Sequence, residues 1–275
     1  MTTATSAQQD HQTWTAVTRE RLAADLRVLG VRPGQTLLVH ASLSSIGWVD
    51  GGAATVVAAL RDALGPDGTL VAGAGTSENS VTSRAHQAVT DGLTPAQVKG
   101  FRGRMPAFDR ATTPTSVGAV AEALRTTPGA VRSAHPQASF AAIGRRAARL
   151  MDGHQPNCHF GESSPLAKLY EQDASVLLLG VGFNTCTAFH LAEYRYTAHP
   201  PLQTYSCVVM SKGKRRWLTY QDVVLDDEEF EIIGKYLDDE IKKPPGNVGG
   251  AESRIIPLRY AVDFAREWMV THRRW

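Results

Sequence analysis

Several things are scarce in this 275-residue chain. It has only three cysteines, Cys158, Cys186 and Cys207, an odd number at wide spacing, which fits reduced thiols better than a disulfide framework. Neither charge dominates: 29 Lys and Arg face 27 Asp and Glu, so no strong positive field points to a nucleic-acid partner. No apolar run reaches the roughly 18 residues of a membrane-spanning helix, and no membrane partner is expected. The opening MTTATSAQQDHQT is polar and lacks the apolar core of a signal peptide, so the expected location is the cytoplasm. Internal repeats and low-complexity tracts are missing as well.

What is present is apolar patterning. Hydrophobic residues make up 43% of the chain, enough to bury a substantial core. Residues 1–13 read as a disordered tail. Thr15–Leu29 has its apolar residues on one helical face, and Thr36–His40 (TLLVH) reads as a short buried strand. A helix over Gly51–Leu64, a turn at Gly65–Gly68 and a strand at Thr69–Ala72 follow. Helices are also expected over Ser116–Thr126, Arg145–Met151 and Pro165–Glu171, with strands at Ser139–Ile143 and Ser175–Leu179. Gln203–Met210 and Lys214–Thr219 form a β-hairpin about Ser211–Gly213. The acidic Asp226–Lys235 reads as helical, Arg254–Ile256 as a short strand and Pro257–Thr271 as a closing helix. This alternation predicts an α/β fold whose central sheet is mixed or parallel, flanked by helices, with a C-terminal hairpin and helix part. Glu78–Phe108 is weakly periodic and too long for an ordinary connection, so it reads as an active-site loop or lid carrying short helices.

The most informative stretch is Leu177–Tyr194, LLLGVGFNTCTAFHLAEY. A buried strand turns at Gly180–Gly182 and enters a helix bearing His190 and Glu193. Residues three apart share a helical face, so the carboxylate can reach the imidazole. It would then fix the ring's tautomer and stabilise its protonated form, as a general base requires. A surface ion pair has the same spacing. The position after a glycine turn at a strand end, where α/β proteins tend to place ligand sites, favours chemistry.

Other constellations each have a plain alternative. The loop after His40, ASLSSIG, offers hydroxyls and backbone N–H groups to a phosphate or carbonyl, but serine-rich turns also merely cap helices. The same holds for Thr115–Gly118. Arg132–Pro136 (RSAHP) could touch a cofactor or simply make a proline-fixed turn. His154, Cys158, His159 and Glu162 offer one cysteine and no paired Cys-x-x-Cys, a poor zinc set, so no metal is expected. Cys186 lies four residues before His190 and could act as a nucleophile in a hydrolase; a small buried residue is the simpler reading. The run Asp226–Glu229 is a solvated face unless it borders a cleft, where it would hold a cationic substrate.

Taken together, VHASLSSIGWVDGG (39–52), LRDALGPDGTLV (60–71), RSAHPQASFAAIG (132–144), ESSPLAKLYEQDASVLLLGVG (162–182), TAFHLAEYR (187–195) and NVGGAESRIIPLRYAVDF (247–264) resemble the aminoglycoside 3-N-acetyltransferase, or antibiotic N-acetyltransferase, family. They occur in family order over roughly residues 15–265. The resemblance implies one acetyltransferase domain over 14–275, in a fold distinct from that of the common small acetyltransferases.

It also implies acetyl-CoA as co-substrate and an aminoglycoside amine as acceptor, with resistance as the consequence. His190 would take the proton from the attacking amine, oriented by Glu193, and Thr187 or loop N–H groups would stabilise the thioester oxygen. Contacts to CoA would fall on His40, Ser42, Leu43, Ser44, Ser45, Ser116, Val117 and Ser133. Many family members have an aspartate where this chain has Asn184, which can hydrogen-bond but cannot balance an imidazolium. Acceptor contacts are expected from Glu78, Asn79, Tyr194 and Asp227. The alternatives are an acetyltransferase for another amine or biosynthetic intermediate, the Cys186–His190 hydrolase, and a binding module without catalysis.

Overall fold

The strands arise where short apolar runs are interrupted by glycine, proline or a charged turn. A computed structural model describes residues 16–273, and the tail expected at 1–13 lies outside them. β1 (Thr36–Ala41), β2 (Thr69–Gly73), β3 (Val131–Arg132), β4 (Phe140–Gly144) and β5 (Ser175–Leu179) come first. β6 (Leu202–Ser211) and β7 (Lys214–Val223) form a separate hairpin, and β8 (Gly246–Val248) and β9 (Ala251–Pro257) are the last strands among the described residues. Seven strands make the main sheet, in the order β3-β4-β2-β1-β5-β9-β8. Its centre is parallel: β1 pairs with β2 (Leu37 opposite Leu70) and with β5 (Val39 opposite Leu177). The flanks are antiparallel, with β4 on β2 and β9 on β5. The sheet is therefore mixed, as expected.

The helices are α1 (Arg19–Leu29), α2 (Leu43–Ile46), α3 (Gly52–Leu64), α4 (Arg84–Thr90), α5 (Pro95–Arg104), α6 (Ala119–Thr126), α7 (Ala147–Met151), α8 (Pro165–Glu171), α9 (Phe189–Glu193), α10 (Phe230–Ile241) and α11 (Leu258–His272). The central strands are covered on both faces, which is why they read as unbroken apolar runs rather than as alternation. Leu37, Val39, Leu177 and Leu179 pack with Leu22 and Leu26 of α1, Leu60 of α3 and Leu124 of α6. Leu38, Val176 and Leu178 pack with Leu150, Leu166, Phe189, Phe230 and Val262, from α7 to α11. Among the described residues no helix is long and apolar enough to cross a membrane.

Several boundaries differ from the sequence expectation for local reasons. α1 starts at Arg19 because the Thr18 side chain accepts the Arg21 N–H and caps it there. α6 starts at Ala119 because the Thr115 and Ser116 hydroxyls both donate to the Gly75 carbonyl, which holds these residues outside the helix. Asp226–Glu229 is a turn, and the helix runs from Phe230 to Ile241 instead. β3 and β8 are too short to leave a periodic signature. The 78–108 segment carries α4 and α5, and several hydrogen bonds tie it to the hairpin. The buried Asn79 amide donates to the Val208 carbonyl at 2.7 Å and accepts the Val208 N–H at 2.8 Å, and the Phe108 N–H donates to the same carbonyl at 2.8 Å.

Gly234 on α10 faces Phe183, where a Cβ would overlap the phenylalanine ring. Alanine favours a helix over glycine by about 1 kcal/mol, whereas overpacking costs about 1–3 kcal/mol. Phe183 is only 4% exposed and stacks on Phe189 at 6.1 Å, so it has little room to yield and the steric effect wins. Gly234→Ala should lower the urea midpoint; a raised midpoint would show that propensity dominates.

Candidate active site

A cavity of about 340 Å³ opens at the carboxyl ends of β1 and β2, beside the turn that leaves β5. Chain order reverses between β1 and β5, since β1 leads to β2 on one side while β5 joins on the other, and ligands of open α/β sheets bind at such a switch point. Gly180 makes the exit from β5 possible. Its φ is +66°, and a Cβ there would lie 2.5 Å from Ser45 Cβ. The chain then forms a 3-10 turn at Phe183–Thr185 before the short α9.

α9 brings the expected pair together. His190 Nδ1 donates to Glu193 Oε2 at 2.6 Å, with side chains 15% and 1% exposed. That bond fixes the neutral ring with its lone pair on Nε2. Phe160 stacks on the imidazole at 4.8 Å and Phe230 meets it edge-on at 4.7 Å, so the ring is held on both sides. The second carboxylate oxygen, Oε1, accepts the Asp226 N–H at 2.9 Å and Arg273 Nη1 at 2.7 Å. Neither Phe160 nor Arg273 carries a sequence signal, because both reach the site from distant segments.

His190, Asn184, Thr187, His40, Val117 and Asp227 line the same cavity. Asn184 shares the cavity with His190, but among the described residues it makes no hydrogen bond to it; its own N–H donates to Glu231 at 3.3 Å. Burial and the neighbouring His190 push His40 down to about 4, and its buried Nε2 has no hydrogen-bond partner among the described residues. Asp227 is ion-paired with Arg84 of α4 at 2.7 Å. Ser42, Ser44 and Ser45 share hydroxyl contacts of 2.8–3.1 Å on α2, directly after β1, and Ser45 borders an adjoining groove with Gly180 and Val181. Ser116 sits at the surface against Ser77 and Gly75.

Other expected site residues are turned elsewhere. Ser133 is fully buried, bonded to His154 and to the Phe140 N–H, and so cannot meet a cofactor. Leu43 packs against the core under α1 and α3. The Asn79 amide is buried against Val208, to which it both donates and accepts, and it does not line the cavity. Tyr194 donates to Asp222 at 2.8 Å, and burial pushes its phenol far up; Glu78 is exposed and outside the cavity.

The residues weighed as metal ligands are also engaged. His154 bonds Ser133 and two carbonyls, His159 Nδ1 bonds Asp222 at 2.6 Å, and Glu162 pairs with Arg195. Among the described residues, no group of three His, Cys, Asp or Glu is placed to hold a metal ion. Cys186 is fully buried and its thiol is pushed up to about 12 by that burial, so it cannot serve as the nucleophile of the hydrolase alternative.

The sequence profile of the aminoglycoside 3-N-acetyltransferase family matches residues 38–270. The chain is 36% identical to the prophage-derived aminoglycoside N(3')-acetyltransferase-like protein YokD of Bacillus subtilis, covering 93% of each. The crystal structure of YokD superposes with a TM-score of 0.87 over 94% of this chain and 95% of that one. It is also 36% identical to aminoglycoside N(3)-acetyltransferase VII of Streptomyces paromomycinus, over 92% of this chain and 91% of that one. The structure of AAC-IIIb in a binary complex with CoASH matches with a TM-score of 0.80 at 30% identity, covering 94% and 97%.

Burial holds His135 and His154 neutral: His154 is lowered to about 4 and His135 is lowered well below its ordinary value. An unfolded chain protonates these rings near pH 6.5, whereas the folded protein resists until lower pH. Between those values the unfolded state binds more protons, so stability present above about pH 6.5 is lost as pH falls toward 4. The urea midpoint should drop between pH 7 and pH 5, and less so in His154→Gln. A midpoint flat over that range would contradict the burial argument.

Proposed function

Because the chain belongs to the aminoglycoside 3-N-acetyltransferase family, we propose that it transfers the acetyl group of acetyl-CoA to the 3-amino group of the 2-deoxystreptamine ring of an aminoglycoside, which confers resistance. The observation that carries this reading is the His190–Glu193 pair, packed in place at the edge of a cavity at the parallel strand ends. Use of acetyl-CoA places the reaction in the cytoplasm.

The amine lone pair attacks the thioester carbon while Nε2 of His190 takes the amine proton. The tetrahedral oxyanion then collapses, the carbon–sulfur bond breaks, and the CoA thiolate leaves. Glu193 holds the imidazolium in the correct orientation through Nδ1. Thr187, and His40 with its free ring nitrogen, border the cavity where the thioester oxygen becomes negative. A thioester is already activated, so neither a metal nor an acyl-enzyme is needed. CoA would run along Ser42, Ser44, Ser45 and the exposed Val117, and Asp227 would meet an ammonium group of the acceptor.

Purified protein should release thiol from acetyl-CoA with at least some members of an aminoglycoside panel, and the product should carry its acetyl group on the 3-nitrogen by NMR. Silence across the panel with acetyl-CoA still bound would move the search to another amine. His190→Gln should cut kcat by roughly 10²–10⁴-fold, the share a positioned base contributes, with acetyl-CoA affinity preserved by calorimetry. A kcat within threefold of wild type would remove His190 from the mechanism.

A further inference from the structure

Arg273 follows α11, and its side chain is only 4% exposed. Three of its nitrogens find an oxygen: Nη1 donates to Glu193 Oε1 at 2.7 Å, Nη2 to the Asp226 carbonyl at 2.6 Å, and Nε to Glu229. The contacts to Glu229 and Asp226 would suffice to staple the chain end to the turn before α10. The contact to Glu193 does something else. Glu193 is completely buried and divides its oxygens between His190 on one side and Arg273 with the Asp226 N–H on the other.

Charge decides what this means. A carboxylate shut off from water is costly unless a cation or several donors meet it. With His190 as its sole charged partner, Glu193 would favour the state in which the imidazole keeps its proton, and a protonated imidazole cannot act as a base. Guanidinium stays charged at every relevant pH, so Arg273 stabilises the anion whatever the state of His190 and competes with the imidazolium for it. The other charged or titratable groups around the pair do not supply this. His40 and His159 are lowered by burial, and Tyr196 and Tyr205 are raised by it. Asp226, Asp227 and Glu229 are acidic, and Arg84 is taken up by Asp227.

We propose that Arg273 is a positioning residue of the acyl transfer: from the end of α11 it holds Glu193 as a fixed anion and sets how readily His190 gives up its proton. This rests on the reading of His190 as the base.

The test is an NMR titration of the His190 ring in the full-length protein without substrate, paired with the pH profile of kcat. In Arg273→Gln, removal of a charge at this range should move the ring titration and the acid limb of kcat to higher pH by about one unit. kcat should then fall about tenfold on the acid side while KM for acetyl-CoA holds. Millimolar guanidinium should restore the limb in Arg273→Ala. Glu229→Gln, at a half-exposed position, removes a negative charge from the same cluster and should move the titration the other way, which keeps the proposal open to test should Arg273→Gln fail to fold. A His190 titration unmoved in every folded variant would reduce Arg273 to a staple. Absence of thiol release by wild type would instead sink the functional reading, since the titration needs no substrate.

Discussion

A buried carboxylate is the constraint on which the site depends. Glu193 has no access to water, so each of its oxygens must be satisfied by the protein. One faces His190 and the other faces Arg273 and the Asp226 backbone, which ties together α9, the turn before α10 and the end of α11. Elements that are distant in sequence are drawn to one point by a single charge. In the proposed transfer the same charge would also orient and balance the imidazolium formed when His190 takes the amine proton.

The scaffold delivers this point with few parts. Parallel strands end together, and their carboxyl ends leave a cleft where chain order reverses. The left-handed Gly180 lets β5 exit beside Ser45, and the 3-10 turn and short α9 follow at once. Around the imidazole, Phe160 and Phe230 pack without offering a hydrogen bond, so the Glu193 carboxylate alone orients Nδ1. Asp222 of the hairpin bonds His159 and Tyr194, and thereby ties β7 to the loop that supplies Phe160.

The legible parts of the sequence were those with local causes. TLLVH and SVLLL read as buried strands because both their faces are covered, and the His190–Glu193 spacing is a property of one helical turn. Long-range contacts left no such trace. Phe160 and Arg273 reach the site from other segments, so nothing in their neighbourhoods marks them. The burial of Ser133 and Asn79 leaves no trace either, because a loop serine or asparagine looks the same whether it turns toward solvent or into the core. The acidic Asp226–Glu229 reads as helix from its sequence, yet the Asp226 N–H is spent on Glu193 and the Glu228 N–H on the Asp226 side chain, which hold it as a turn. Asn184 stands where the family resemblance implies an aspartate, and Arg273, which meets Glu193, lies outside every motif that carries that resemblance.

The most direct measurement is a crystal structure of the ternary complex with CoA and an aminoglycoside. The account predicts the 3-amino nitrogen within about 3 Å of His190 Nε2, with the CoA sulfur entering from the β1 and β5 strand ends. An acceptor whose amines all lie outside hydrogen-bonding reach of His190, with CoA properly seated, would contradict it.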